Sequence, residues 1–252
     1  MQAGVSAGMG RFARAIFGRT LRLGGMALSM AGILLAMTPF SFAQLPSASH
    51  TISQKFVVVL DPAHGGDDAG ATLKSGHAEK ALTLAFSLKL RSMLGARGVQ
   101  VVSTRESDVS AGAVQRAEDA NHAQAQACLS IHFTDTGSGV HLFTSDLAST
   151  TTGVRFLPWK TAQSAWVNRS LALTGRLNSA FQQTGLTVSL ARIALPGLDS
   201  MACPAVAIEI APERVSGSQK VRFSQEDPKY QARVAQALAA ALMVWKTEAR
   251  QP

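Results

Sequence analysis

The 252-residue sequence is poor in cysteine and aromatic residues: it has two cysteines, one tyrosine and three tryptophans, and aromatic residues make up 6% of it. Two cysteines are too few for a disulfide-dense scaffold or a cysteine-rich zinc finger. Cys128 and Cys203 either pair in an oxidising compartment or lie buried as two small apolar side chains. The sequence also lacks a Gly-X-Y period, a sustained heptad pattern and a longer internal repeat, which excludes collagen, coiled-coil and solenoid folds. Because 46% of the residues are hydrophobic, the chain can form a sizeable core, and its length suits one domain with a tail.

Acidic residues are missing from the first 43 positions, which contain four arginines. The whole chain has a net charge of +8, with 24 basic and 16 acidic residues, so the residues after position 43 carry only +4. Their lysines and arginines are dispersed, and a single tyrosine leaves no basic stripe with interleaved aromatic residues of the kind that binds nucleic acid. We therefore expect no nucleic-acid partner.

Residues 1–43 have the layout of a secretory signal peptide. Their arginines precede an uncharged stretch rich in Leu, Met, Ala and Gly, and the small residues Ser41 and Ala43 occupy the two positions that a cleavage site requires. The alternative is an uncleaved inner-membrane anchor, because about 20 apolar residues can span a bilayer. Either interpretation predicts a periplasmic or secreted domain over residues 55–250, attached to the membrane only if the leader is uncleaved. Residues 44–54 are polar and are predicted to be a linker.

Apolar runs alternate with helix-period segments from residue 55 onward. The run from Phe56 to Leu60 has no polar alternation, which is typical of a strand covered on both faces. A helix is indicated by apolar residues that recur every four positions, at Phe86, Leu90 and Leu94. The predicted strands cover residues 56–60, 99–103, 127–133, 140–144 and 205–210, and the predicted helices cover residues 78–97, 110–126, 162–183 and 228–247. This order predicts a single α/β domain, in which a mostly parallel or mixed twisted sheet of about six strands carries helices on both faces.

Four polar residues are predicted to meet at one edge of this sheet, because ligands of such sheets bind beyond the carboxyl ends of the strands. His64 follows the first strand, His132 lies near the end of a later one, and Glu79 lies on the inward stripe of the first helix. Each has a structural explanation, as a hydrogen-bonded core histidine or as an acid near a helix N-terminus. Glu209 interrupts an apolar strand. A buried carboxylate is costly unless it has a charged or hydrogen-bonding partner or a functional role. Two imidazoles and a carboxylate with an open fourth position form a recurring catalytic zinc set.

Four motifs, taken in order, resemble a known family. They are VVVLDPAHGGDDAGA at residues 57–71, HAEK at 77–80, SIH at 130–132 and PAVAIE at 204–209. Together they resemble the zinc-dependent N-acetylmuramoyl-L-alanine amidases of bacterial cell-wall turnover, and the resemblance extends over about residues 55–247.

The resemblance implies one Zn²⁺ ion per chain, bound by His64, Glu79 and His132, with Glu209 as the catalytic carboxylate. It also implies hydrolysis of the amide bond between N-acetylmuramic acid and L-alanine in peptidoglycan or muropeptides, in cell-wall turnover or daughter-cell separation. We expect the enzyme to be a monomer.

The sequence departs from the family pattern at three places. Ala63 stands where the family usually has Gly, Phe133-Thr134 stands where Asn is common, and Ala211-Pro212 replaces Gly followed by an aromatic or aliphatic residue. These changes concern substrate fit and rate more than metal binding. Two other functions stay open: a zinc peptidase that cleaves peptidoglycan stem peptides, and a catalytically inactive peptidoglycan-binding domain.

Three further histidines have weaker assignments. His77 lies two residues before Glu79 and is an alternative metal ligand, although the family pattern favours Glu79. His122 is expected on a helix surface, and His141 is expected in a pocket wall or a strand.

Overall fold

The computed structural model describes residues 55–150 and 157–249. The predicted leader over residues 1–43 and the predicted linker over residues 44–54 lie outside the described residues, so both stay predictions. Among the described residues, no helix has the length and apolar character needed to cross a bilayer.

A six-stranded mixed sheet forms the centre of the domain, as the sequence predicts. The strands are β1 Val57–Pro62, β2 Gln100–Ser103, β3 Ala127–Phe133, β4 Val140–Ser145, β5 Val188–Ile193 and β6 Ala205–Ile210, in the spatial order β2-β1-β3-β6-β4-β5. β1, β2, β3 and β6 are parallel to one another, whereas β4 is antiparallel to β6 and parallel to β5. Two shorter strands, β7 Glu213–Arg214 and β8 Val221–Phe223, form a separate antiparallel pair.

Within the six-stranded sheet, the edge strand β5 is the strand that the sequence did not predict, and the short strands β7 and β8 were not predicted either. Its residues are mostly exposed, so it has neither the continuous apolar run of a buried strand nor a clean alternation.

Four α-helices flank the sheet. They are α1 Glu79–Gly95, α2 Ala113–His122, α3 Val167–Gln183 and α4 Pro228–Glu248, with two short 3-10 helices at Trp159–Ala165 and Leu198–Ser200. α4 begins where the chemistry predicts, because Asp227 accepts hydrogen bonds from the amides of Lys229 and Tyr230 and Pro228 occupies the first turn. The predicted helix over residues 110–126 is too long, and α3 begins later than predicted because a 3-10 turn precedes it.

The two faces of the sheet differ in how completely helices cover them. α1, α3 and α4 pack on one face against large side chains such as Leu60, Leu129 and Ile208. α2 and the 3-10 helix Leu198–Ser200 cover part of the other face, where the strands present small residues such as Cys128 and Ala205. Helices therefore lie on both faces, as predicted, and the thinly covered face leaves room for polar side chains above the sheet.

A disulfide bond joins Cys128 in β3 to Cys203, two residues before β6. Both cysteines are fully buried in the core of the thin face. Of the two interpretations that the sequence leaves open, the structure therefore supports pairing.

Replacing both cysteines by alanine should lower the melting temperature. The bond closes a loop with a sequence separation of 75 residues, and a native disulfide of this kind contributes about 2–4 kcal/mol to the free energy of unfolding. In a domain of this size, that corresponds to a fall of roughly 4–16 °C in thermal unfolding. Wild type with the disulfide reduced should have the same melting temperature as the double variant. Equal melting temperatures for oxidised wild type and the double variant would contradict a stabilising disulfide between Cys128 and Cys203.

Candidate active site

The loop after β1 turns sharply at His64, which has a φ of 61°. This left-handed conformation is uncommon for a residue with a side chain and is often found at functional sites. Two buried guanidinium groups fix the loop: Arg105 donates to the carbonyls of Pro62 and Ala63, and Arg116 donates to the carbonyl of His64 at 2.6 Å. Ala63 is itself buried, so the loop accommodates the methyl group that distinguishes it from the usual Gly.

Three predicted ligand residues converge in front of this loop. One carboxylate oxygen of Glu79, Oε2, lies 3.2 Å from His64 Nε2, and the other, Oε1, lies 3.1 Å from His132 Nδ1. One ligand-type atom from each of the three side chains lies within 4.8 Å of the other two. The sequence-predicted set of two imidazoles and a carboxylate is therefore assembled at one point.

Backbone amides orient the carboxylate of Glu79. The amide of Phe133 donates to Oε1 at 3.1 Å, and the amide of Ala71 donates to Oε2 at 3.0 Å. Glu79 is only 4% exposed, and its burial alone would raise the pKa of its carboxyl group. The hydrogen bonds from His132 and from the Ala71 amide outweigh burial and leave that pKa below its ordinary value. The carboxylate of Glu79 is therefore ionised at neutral pH.

Each histidine of the trio has a second hydrogen-bond partner behind it. His64 Nδ1 lies 2.9 Å from the carboxylate of Asp68. This hydrogen bond, with a second from the Gly70 amide, lowers the pKa of Asp68. Such carboxylate–histidine pairs fix the tautomer and the ring orientation of metal-binding histidines. Here they direct His64 Nε2 toward Glu79.

His132 is oriented by a serine that is itself held by a buried aspartate. Ser130 Oγ donates to Asp61 Oδ2 at 2.8 Å and lies 3.4 Å from His132 Nε2. Because the hydroxyl proton points to Asp61, the serine oxygen can accept a proton from Nε2. In that tautomer the lone pair of Nδ1 would be free to bind a metal, in place of the hydrogen bond from Nδ1 to Glu79. The other oxygen of Asp61 pairs with Arg116 at 2.6 Å, so this buried carboxylate is fully satisfied.

Glu209 lies beside the trio on the next strand. In the strand register, it is the direct partner of His132 in β3 and of His141 in β4. The three residues therefore form a row across three neighbouring strands on the thinly covered face. Glu209 Oε2 lies 2.9 Å from His141 Nδ1. The sequence placed His141 only in a pocket wall or a strand, because antiparallel register cannot be read from local pattern.

The remaining histidines lie away from the cluster. His77 Nδ1 lies 3.0 Å from Glu226, and the His77 side chain is 66% exposed. His77 therefore lies outside the trio, and the structure gives no support to the alternative in which it replaces Glu79. His122 is exposed at the end of α2, as predicted.

A cleft of about 350 Å³ opens next to the trio. The start of α2 and the loop Leu195–Leu198 form its walls, Ser130 and Ala207 form part of its floor, and His64 and His132 lie at one side. A substrate in this cleft would contact both imidazoles.

The donor set and its spacing fit a zinc ion. Two imidazole nitrogens and one carboxylate oxygen suit Zn²⁺ better than Mg²⁺ or Ca²⁺, which prefer all-oxygen shells. In a tetrahedral shell with ligand distances of about 2.0–2.2 Å, neighbouring ligand atoms lie about 3.3–3.6 Å apart. Each carboxylate oxygen of Glu79 lies 3.1 or 3.2 Å from one imidazole nitrogen, and one donor atom from each of the three side chains lies within 4.8 Å of the other two. Modest side-chain shifts would give the spacing of a zinc shell.

Comparison with known proteins identifies the family. A family model described as N-acetylmuramoyl-L-alanine amidase matches residues 58–243, a span that contains the trio, Glu209 and nearly the whole sheet. The chain belongs to this family. The resemblance inferred from the four sequence motifs is thereby confirmed.

Individual amidases show the same relationship over shorter segments. The chain is 37% identical over 112 residues to the N-acetylmuramoyl-L-alanine amidase AmiA of Escherichia coli, a match that covers 44% of this chain and 38% of AmiA. It is 43% identical over 77 residues to the amidase CwlM of Bacillus licheniformis, which covers 30% of each protein. The chain thus matches less than two fifths of the length of these curated relatives.

Solved amidase structures match the domain over almost their full length. The catalytic domain of CwlV, an N-acetylmuramoyl-L-alanine amidase from Bacillus (Paenibacillus) polymyxa var. colistinus, aligns with a TM-score of 0.59 and 27% identity over 76% of this chain and 98% of that one. The amidase Ami1 of Mycobacterium smegmatis aligns with a TM-score of 0.60 and 20% identity over 77% and 97% of the two chains. The second match shows a shared fold.

Replacing Gly70 by alanine should weaken metal binding. A Cβ atom at Gly70 would lie 2.6 Å from His64 Cδ2 and 2.9 Å from Glu79 Oε2, so the ligand side chains would have to move. We expect Zn²⁺ affinity, measured by calorimetric titration of metal-free protein, to fall about 10- to 100-fold.

The matched control is Gly185→Ala. Gly185 has a φ of +70°, close to the +66° of Gly70, but no atom lies within 4 Å of the Cβ position. The control shares the backbone strain and lacks the clash, so it should lose stability and keep its zinc affinity. Equal affinities for the Gly70 variant and wild type would refute the role of this close approach.

Proposed function

We propose that this protein is a zinc-dependent amidase that hydrolyses the bond between the lactyl carbonyl of N-acetylmuramic acid and the amine of L-alanine in peptidoglycan. His64, Glu79 and His132 would hold one zinc ion, and Glu209 would act as the general base. The observation that carries the proposal is the position of Glu209, one strand across from His132 in direct register, beside three converging ligand side chains.

Both reactants must be activated, because an amide is a poor electrophile and water is a poor nucleophile. Zinc, when bound, would supply a Lewis acid for the carbonyl oxygen and lower the pKa of a coordinated water to about 7. Glu209 would accept the proton of the attacking water at its carboxylate and pass it to the nitrogen of the departing L-alanine. Its side chain is 30% exposed, so it is accessible from the solvent side of the sheet.

The residues around the ligands would keep the site in place during turnover. Asp68 and Ser130 fix the ring orientations of the two histidines, and the amides of Ala71 and Phe133 fix Glu79. These partners belong to β3 and to the loop after β1, which Arg105 and Arg116 hold by hydrogen bonds. We therefore expect the site to need little reorganisation when a metal binds.

The substrate class follows from the family and from the chemistry of the site. The family is described as N-acetylmuramoyl-L-alanine amidase, so the bond to be cleaved joins N-acetylmuramic acid to L-alanine. Peptidoglycan and its soluble muropeptides contain this bond. The proposal includes export by residues 1–43, a linker over residues 44–54 and a catalytic domain over residues 55–250 that acts as a monomer in the periplasm or outside the cell. Its biological role would be cell-wall turnover or daughter-cell separation.

Replacing Glu209 by glutamine should abolish turnover and spare the metal. Glutamine keeps the shape of the side chain but cannot accept the proton, so the rate should fall about 100- to 10,000-fold. The measurement is the release of L-alanine amino groups from purified peptidoglycan, with the products identified by mass spectrometry and the zinc content measured in parallel.

The products also separate the competing functions. Release of stem peptides with a free L-alanine amine supports the amidase, whereas cleavage within the stem peptide would indicate a zinc peptidase. An inactive wild type that still binds peptidoglycan would indicate a binding domain. A Glu209→Gln variant that works at the wild-type rate would contradict the proposed base.

A further inference from the structure

His141 is the residue at this site that the family motifs in the sequence did not single out. It lies in β4, directly opposite Glu209 of β6, and its Nδ1 atom lies 2.9 Å from Glu209 Oε2. Among the described residues, it is the one side chain that forms a hydrogen bond with this carboxylate. We propose that His141 is a positioning residue that fixes the Glu209 carboxylate in the orientation from which it acts as the general base. This inference rests on the proposed function.

The strand register fixes the distance between the two side chains. β6 lies between β3 and β4, so its backbone is hydrogen-bonded on both sides near Glu209. Directly opposite residues of an antiparallel pair have Cβ atoms about 4.5–5.5 Å apart on the same face of the sheet. What the backbone leaves free is the rotation of the flexible glutamate side chain, and a hydrogen bond to a neighbour restricts that rotation.

The imidazole of His141 is itself held on more than one side. Phe143, two residues along the same face of β4, packs edge-on against it with ring centroids 6.2 Å apart. The backbone of Gly137 approaches the ring so closely that a Cβ atom there would lie 2.2 Å from His141 Cε1. The His141 side chain is only 14% exposed, whereas that of Glu209 is 30% exposed. A confined ring therefore restrains a more accessible carboxylate.

The hydrogen-bond pattern leaves the reactive part of Glu209 available. His141 binds Oε2, so Oε1 has no protein partner among the described residues and can accept a proton from water. A carboxylate that is held through one oxygen and free at the other suits a group that takes and returns a proton. Because small misplacements of a catalytic group cost up to about 100-fold in rate, loss of this restraint should affect the chemical step.

The test compares His141→Asn with His141→Leu. Asparagine and leucine have the same branched shape, but asparagine places an N–H donor near the position of Nδ1 and leucine has none. We expect kcat for L-alanine amine release from peptidoglycan to fall about 10- to 100-fold in His141→Leu, with KM changed less than about threefold. His141→Asn should retain kcat within about fivefold of wild type. Zinc content should equal that of wild type in both variants, since His141 is not one of the proposed ligands.

Two controls separate positioning from a general loss of structure. Ser189→Ala changes the exposed β5 residue on the other side of His141 and should keep wild-type kcat. Adding His141→Leu to Glu209→Gln should cause no further loss, because the group that His141 positions is already inactive. In a crystal structure of His141→Leu, the Glu209 carboxylate should occupy a different or a second rotamer, a readout that does not depend on activity.

Failure of the inference can be distinguished from failure of the proposed function. If wild type releases L-alanine amines and His141→Leu does so with equal kcat, His141 has no positioning role and the amidase proposal stands. Equal losses in the Asn and Leu variants would show that the ring's packing, and not its donor, is needed, and would also overturn the inference. A wild type that releases no L-alanine amine would overturn the proposed function and, with it, the role of His141.

Discussion

The candidate active site depends on the placement of one buried carboxylate between two imidazoles. One carboxylate oxygen of Glu79 contacts His64 and the other contacts His132. Each oxygen also accepts a hydrogen bond from a backbone amide. Three separate segments, the loop after β1, the start of α1 and the end of β3, therefore meet at a single side chain. Without Glu79, two imidazoles would face each other with no charge between them, and a divalent ion would lose its only anionic ligand in the trio.

The asymmetry of the sheet makes this arrangement possible. Strand alternation places large apolar residues under three long helices on one face and small or polar residues on the other. Asp61, Ser130, His132 and Glu209 belong to the second face, where the cover is thin and a cleft reaches the ligands. The disulfide between Cys128 and Cys203 lies on that same face. It joins β3, which carries His132, to the segment just before β6, which carries Glu209.

Much of the fold and the metal trio was predictable because local patterns encode them. The apolar run of β1, the four-residue period of α1 and the motif residues His64, Glu79 and His132 are all readable in sequence, and the structure brings the three together. The edge strand β5, the shortened α2 and the contact between His141 and Glu209 were not predicted. These features depend on register and on tertiary cover, which sequence periodicity does not specify. The same holds for the close approach of Gly70 to the side chains of His64 and Glu79.

The central claim is that His64, Glu79 and His132 together bind one zinc ion, and anomalous X-ray scattering at the zinc absorption edge tests it most directly. Crystals of zinc-loaded protein should give one strong anomalous peak, about 2.0–2.2 Å from His64 Nε2, His132 Nδ1 and a Glu79 oxygen. A peak beside the exposed pair His77 and Glu226, or an ion that contacts the histidines but not Glu79, would contradict the account.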